Sequence, residues 1–124
     1  MTSGTLALIL ISVTLSACAQ VLFKLGVSPV PGLDAPGNPS LIGAVLGTLL
    51  RPGVLGGLAL YGIGTVVWLR ALARTELSQA YPFVGLGFVL TAVLGYMLFN
   101  EALGPSRLIG TALVIAGVFL VGRS

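Results

Sequence analysis

The sequence has no histidine and a single cysteine, Cys18, in 124 residues. One cysteine leaves no disulfide framework within the chain. Missing histidine removes the commonest metal ligand and general base. Charge is scarce as well. Charged residues make up 7% of the chain, where a soluble domain carries roughly 25%. A surface facing water cannot be built from so few. The three acidic residues, Asp34, Glu76 and Glu101, all lie outside the middle of the long apolar runs. No carboxylate is therefore placed to trade a proton for a cationic substrate at mid-membrane. There is no nucleophile–base pair, metal cluster or phosphate-cradling glycine loop, which argues against an enzyme and against any cofactor. The six basic residues are spread singly and give a net charge of +3. Without a basic cluster or basic–aromatic interleaving, nucleic acid is not a partner.

What remains is apolar residue, 56% of the chain, in long blocks. About 20 such residues span a bilayer as a helix. The blocks predict four spans, at about 6–27, 54–72, 77–99 and 106–121. Between the first two, Ser28 to Pro39 reads as a proline- and glycine-rich loop. Ser40 then caps a short helix over Leu41 to Leu50, too short to cross and placed in the interface. Leu15-Ser16-Ala17-Cys18 has the look of a lipoprotein processing box, but the start of the chain lacks the positive region that a signal peptide needs. The expected fold is all-α: one integral membrane domain over 1–124, four transmembrane helices and a short interfacial helix.

Ser12, Ser16, Gln20 and Lys24 step by four, which puts them on one face of the first span. A polar stripe in lipid must face protein or a wet cavity. Lys24 and Glu101 fall at the same membrane level and can pair, snorkel to headgroups or bind an anionic group. Arg70 either anchors at the interface or holds a phosphate bidentately. Tyr81 either belongs to the aromatic belt or donates to a substrate oxygen. Pro82 with Gly85 and Gly87 predicts a bend in the third span. Gly53 and Gly57, and Gly110 with Ala116 and Gly117, allow close helix approach. The fourth span is read as the main dimer contact. Arg70, Arg74 and Arg123 fall on one side of the membrane and Lys24, Arg51 and Arg107 on the other. That tie removes the usual orientation signal and predicts an antiparallel dimer.

The stretch Leu77-Ser78-Gln79-Ala80-Tyr81-Pro82-Phe83-Val84-Gly85-Leu86-Gly87-Phe88-Val89-Leu90 resembles the drug/metabolite transporter superfamily. So do Asn100-Glu101-Ala102-Leu103-Gly104-Pro105-Ser106-Arg107-Leu108-Ile109-Gly110 and Ile115-Ala116-Gly117-Val118. Small multidrug resistance proteins share the size and the antiparallel dimer, but the glutamate essential to them aligns with Ser16. Ser16-Ala17-Cys18-Ala19-Gln20 through Lys24, with Ala80-Tyr81-Pro82 and Glu101, resembles the small subunits that flip undecaprenyl-phosphate-linked aminoarabinose. The EamA-type carriers are a third relative, with two such units fused. The resemblance implies a bacterial inner-membrane, multi-pass transporter of a polyisoprenyl-phosphate-linked sugar or similar amphipathic anion. Lys24 and Arg70 would contact phosphate, Glu101 would orient Lys24, and Gln20, Ser16 and Tyr81 would line a polar cavity. Partners would be membrane lipid and a second four-helix subunit, as an antiparallel homodimer or a heterodimer. The other readings are an exporter of small metabolites or drugs, and a non-transporting subunit of a larger complex.

Overall fold

Helix α1 runs Ser3–Val27 in the computed structural model, which describes residues 2–27 and 41–124. Its start lies earlier than the apolar run alone predicts because Thr2 caps it. The Thr5 amide donates to Thr2 Oγ1 at 3.2 Å and the Leu6 amide to the Thr2 carbonyl at 3.0 Å, satisfying amides that a helix start leaves open. Helix α2 is Leu41–Leu49, about 14 Å at 1.5 Å per residue and so too short to span. Its Ile42, Val45, Leu46 and Leu49 are exposed. The loop expected over Ser28 to Pro39 and the cap at Ser40 lie outside the described residues.

Helix α3 is Pro52–Leu72. Arg51 is extended before it and Pro52 opens its first turn, where the missing N–H costs nothing. α3 packs antiparallel along α1 through glycines. A Cβ on Gly53 would stand 3.1 Å from the Gly26 Cα, and one on Gly57 only 2.7 Å from the Phe23 ring and 3.0 Å from the Ala19 carbonyl. One on Gly26 would stand 2.8 Å from the Val54 amide. Further along, Gly64 faces Ser12 and Leu15. The expected Gly53-x-x-x-Gly57 approach is thus a contact within the chain. With no hydrophobic drive between helices in lipid, backbone closeness of this kind is what holds them.

The third span changes from α to 3-10 geometry around its proline. Helix α4 is Leu77–Ala80, a 3-10 turn covers Tyr81–Phe83, and helix α5 is Val84–Phe99. Gly85 and Gly87 lie inside regular α5 helix. At Gly85 the absent side chain serves close approach, while Gly87 has room for a Cβ at ordinary contact distance. A Cβ on Gly85 would meet Val114 at 2.8 Å and one on Gly87 would meet Val13 at 3.5 Å. α5 ends at Asn100, which adopts the left-handed conformation at φ 54°. The Glu101 amide then donates back to the Gly95 carbonyl at 3.2 Å, closing the helix as such C-caps do.

Helix α6 is Pro105–Arg123, again opened by a proline. It leans on α5 and the 3-10 turn through Val118 and Val114, and Gly122 faces the Phe83 ring. Ile9, Val13, Ala71, Ala80, Phe83 and Val118 form the buried core. Large apolar side chains such as Phe88, Met97, Leu113 and Phe119 are exposed, which water would not tolerate at this density and lipid does. Four helical stretches, Ser3–Val27, Pro52–Leu72, Leu77–Phe99 and Pro105–Arg123, are long and apolar enough to cross a membrane. Among the described residues the chain is all-α, an integral membrane protein with four helices of membrane-spanning length and composition.

Candidate substrate cavity

Three spans contribute one stripe each to a half-open cavity of about 580 Å³. α1 supplies Ser12, Ser16 and Gln20, α3 supplies Tyr61, Thr65 and Trp68, and α5 supplies Val84, Gly87, Phe88 and Thr91, with Tyr81 from the 3-10 turn. The residues of each stripe lie within one helix face, spaced mostly by three or four. The volume falls within the roughly 300–1,000 Å³ usual for small-molecule sites.

The walls mix rings and hydroxyls. Trp68 meets Tyr81 edge-on, with ring centroids 6.5 Å apart at 72°, a favourable aromatic geometry. Phe23 stands against Tyr61 at 6.5 Å and 46°. Ser12 Oγ is buried and donates to the Gly64 carbonyl at 2.7 Å, joining α1 to α3. Thr65 Oγ1 donates to the Tyr61 carbonyl at 2.8 Å and Thr91 Oγ1 to the Phe88 carbonyl at 3.0 Å. The lining residues include no Asp, Glu, Lys or Arg. Among the described residues no group of His, Cys, Asp and Glu gathers to hold a metal.

The structure brings together Ser16, Gln20 and Tyr81 of the residues predicted from sequence. Lys24, Arg70 and Glu101 are exposed and lie outside the lining. Lys24 is one turn beyond Gln20 in the last turn of α1, and Arg70 is in the last turn of α3. Because α1 and α3 run antiparallel, these two cations belong to opposite ends of the cavity. Glu101 folds its carboxylate onto Gly95 at the end of α5, where a Cβ would collide with it. Pro82 lies in the 3-10 turn. Gly110 and Gly117 have nothing within 4 Å of a would-be Cβ, and Ala116 is exposed.

Sequence reasoning missed Tyr61, Thr65, Trp68 and Thr91. Trp68 reads as an interfacial anchor from its place near a span end, yet it is half-buried against the cavity. The signal was the 61–65–68 spacing, a second polar face to match that of α1. Thr91 announced itself as an isolated hydroxyl in an apolar run.

A family model described as the EamA-like transporter family matches residues 3–123. A probable 4-amino-4-deoxy-L-arabinose-phosphoundecaprenol flippase subunit ArnE of Pseudomonas savastanoi pv. phaseolicola is 41% identical over 81 residues, which is 58% of this chain and 71% of that protein. The corresponding protein of Pseudomonas aeruginosa is 41% identical over 63 residues, 51% of this chain and 55% of its own length. Protein y4nH of Sinorhizobium fredii is 32% identical over 109 residues, 87% of this chain and 86% of that one. The chain thus matches between about half and seven-tenths of the length of these flippase subunits. No solved structure matches it.

Proposed function

The chain belongs to the EamA-like transporter family, and from that premise we propose that it carries a polyisoprenyl-phosphate-linked sugar, or a similar amphipathic anion, across the bacterial inner membrane. It is a small membrane transporter, built for movement of its substrate without chemical conversion. The observation that carries the finer reading is the cavity itself, with Ser16 and Gln20 of α1 and Thr65 of α3 on its walls, in a chain whose helix faces are otherwise apolar and exposed. A lipid-linked sugar has that same division: a polar head for the cavity and a tail that stays in lipid. The similarity to proteins named as flippase subunits points the same way.

In this reading residues 1–124 act as one transmembrane domain. Lys24 and Arg70, at opposite ends of the cavity, receive the phosphate on the two sides of the membrane. Each cation offers a charge-assisted contact that offsets the desolvation of an anion. Glu101 restrains the charge near Lys24. Ser16, Gln20 and Tyr81 line the route of the head group. The functional unit is an antiparallel dimer, either of this chain or with a related four-helix subunit. The uncovered small-residue face of α6, with Gly110, Ala116 and Gly117, supplies the contact.

The test is flux in proteoliposomes loaded with a fluorescent polyprenyl-phosphate-linked sugar. The wild-type chain is expected to raise the rate of movement between leaflets above that of empty vesicles. Lys24→Ala and Arg70→Ala are each expected to lower it about tenfold or more, the scale of a lost charge-assisted contact. Unchanged flux in both variants would remove the phosphate role. A pure chain with no flux at all, but with flux on adding a second subunit, would assign it to a heterodimer.

A further inference from the structure

Three hydroxyls of the cavity have already committed their protons. Ser12 Oγ donates to the Gly64 carbonyl at 2.7 Å, Thr65 Oγ1 to the Tyr61 carbonyl at 2.8 Å and Thr91 Oγ1 to the Phe88 carbonyl at 3.0 Å. A hydroxyl owns one proton and two lone pairs. With the proton spent on backbone, what each one can offer the cavity is lone pairs. The three come from three different helices, so acceptor oxygens stand on every wall that the spans provide. The rings add to the same preference. Trp68, Tyr81 and Tyr61 carry negative faces that attract C–H and N–H groups and repel anions.

The donors left to the cavity are neutral: the Ser16 hydroxyl, the Gln20 amide, the two phenols and the Trp68 indole N–H. A phosphate is an acceptor on every oxygen and carries charge. In a site without a lining Lys or Arg it would meet only these neutral donors, while the three committed hydroxyls turn lone pairs toward its oxygens, a poor exchange for its hydration. A sugar ring is the opposite case. Its hydroxyls, or an ammonium in place of one, bring protons to these oxygens, and its C–H face suits the aromatic walls.

We infer that the cavity takes the glycosyl head group as a hydrogen-bond donor and leaves the phosphate outside. The inference rests on the flippase reading above and adds an order to it: the substrate enters sugar first. Recognition is then by donor groups on the ring, so chemistry that keeps a hydroxyl's size but removes its proton defeats binding.

Trp68 is the single tryptophan of the chain and lines this cavity, so its fluorescence reports occupancy directly. The purified full chain in nanodiscs of phosphatidylcholine is titrated with farnesyl phosphate, with its glucosyl and 4-amino-arabinosyl conjugates, and with a glucosyl conjugate in which two ring hydroxyls are fluorine. At least one sugar conjugate is expected to shift Trp68 emission at about tenfold lower concentration than farnesyl phosphate. Fluorination is expected to cost about fivefold or more, one hydrogen bond's worth. Thr65→Val and Thr91→Val keep the shape and remove an acceptor. Each is expected to weaken the sugar conjugate about fivefold and leave farnesyl phosphate unaffected.

Farnesyl phosphate binding as tightly as both conjugates would overturn the inference and leave the flippase reading standing, and so would a fluorinated sugar that binds undiminished. Silence of Trp68 toward every lipid, together with no flux in proteoliposomes, would bring down the flippase reading and the inference with it.

Discussion

Asn100 holds a left-handed backbone at φ 54° where α5 stops. Residues with a Cβ pay roughly 1–2 kcal/mol there, and asparagine and glycine least. Asn100→Ala is expected to lower stability by about 1 kcal/mol and Asn100→Gly to leave it level, as read from thermal unfolding in detergent. The glycines divide in the same local way. Gly57 has the Phe23 ring 2.7 Å from a would-be Cβ, while Gly62 has nothing within 4 Å. Gly57→Leu is expected to cost about 1–3 kcal/mol by overpacking the seam, whereas Gly62→Ala should stay within about 0.5 kcal/mol. Equal effects would mean that the α1–α3 seam is not where the strain falls. Ser16 and Gln20 were legible at this scale because a four-residue step within one helix is visible in sequence. Thr65 and Trp68 were harder to read, because the 61–65–68 spacing marks a shared face of α3 but not which helices that face meets.

Elements were legible in order of how much physics each one carries alone. The four spans follow from apolar length, and the break at Tyr81–Phe83 follows from a proline. The third begins at Leu77 as expected, while the other three start earlier than hydropathy places them, because Thr2, Pro52 and Pro105 extend those helices by capping and by fixed φ. Gly85 reads as a bend in sequence, yet it serves contact with Val114. That distinction depends on where α6 packs, which no local pattern contains. α6 itself buries only Val118. Gly117→Leu should therefore leave the unfolding temperature of the isolated chain nearly unchanged while reducing its dimer fraction, measured by cross-linking in membranes. A large loss of stability with dimerisation intact would place the contact elsewhere.

At the scale of the whole molecule, the three basic residues expected on each side predict insertion without a preferred sense. Single cysteines in a Cys18→Ala background, at Ser124 and at Ala102, report it through labelling from one side of the membrane. Half-labelling of each site is expected for a chain that inserts both ways and pairs with its own inverted copy. Complete labelling of one site and none of the other would call for an oppositely inserted partner. The division of charge also frames the cavity. Its neutral lining lies between α1, α3 and α5, while Lys24 and Arg70 stand outside it near opposite ends of antiparallel helices.

The glycine seam has a bearing on how the molecule is made. All its contacts join α1 to residues 53–64. They are complete as soon as the second span has left the ribosome, before α4, α5 and α6 exist. A pair of helices that interlocks by backbone closeness enters the bilayer as a finished hairpin, and the later spans are added to a surface already set. Errors of synthesis in the second half of the chain would then leave the α1–α3 seam complete, since none of its glycine contacts needs the later spans.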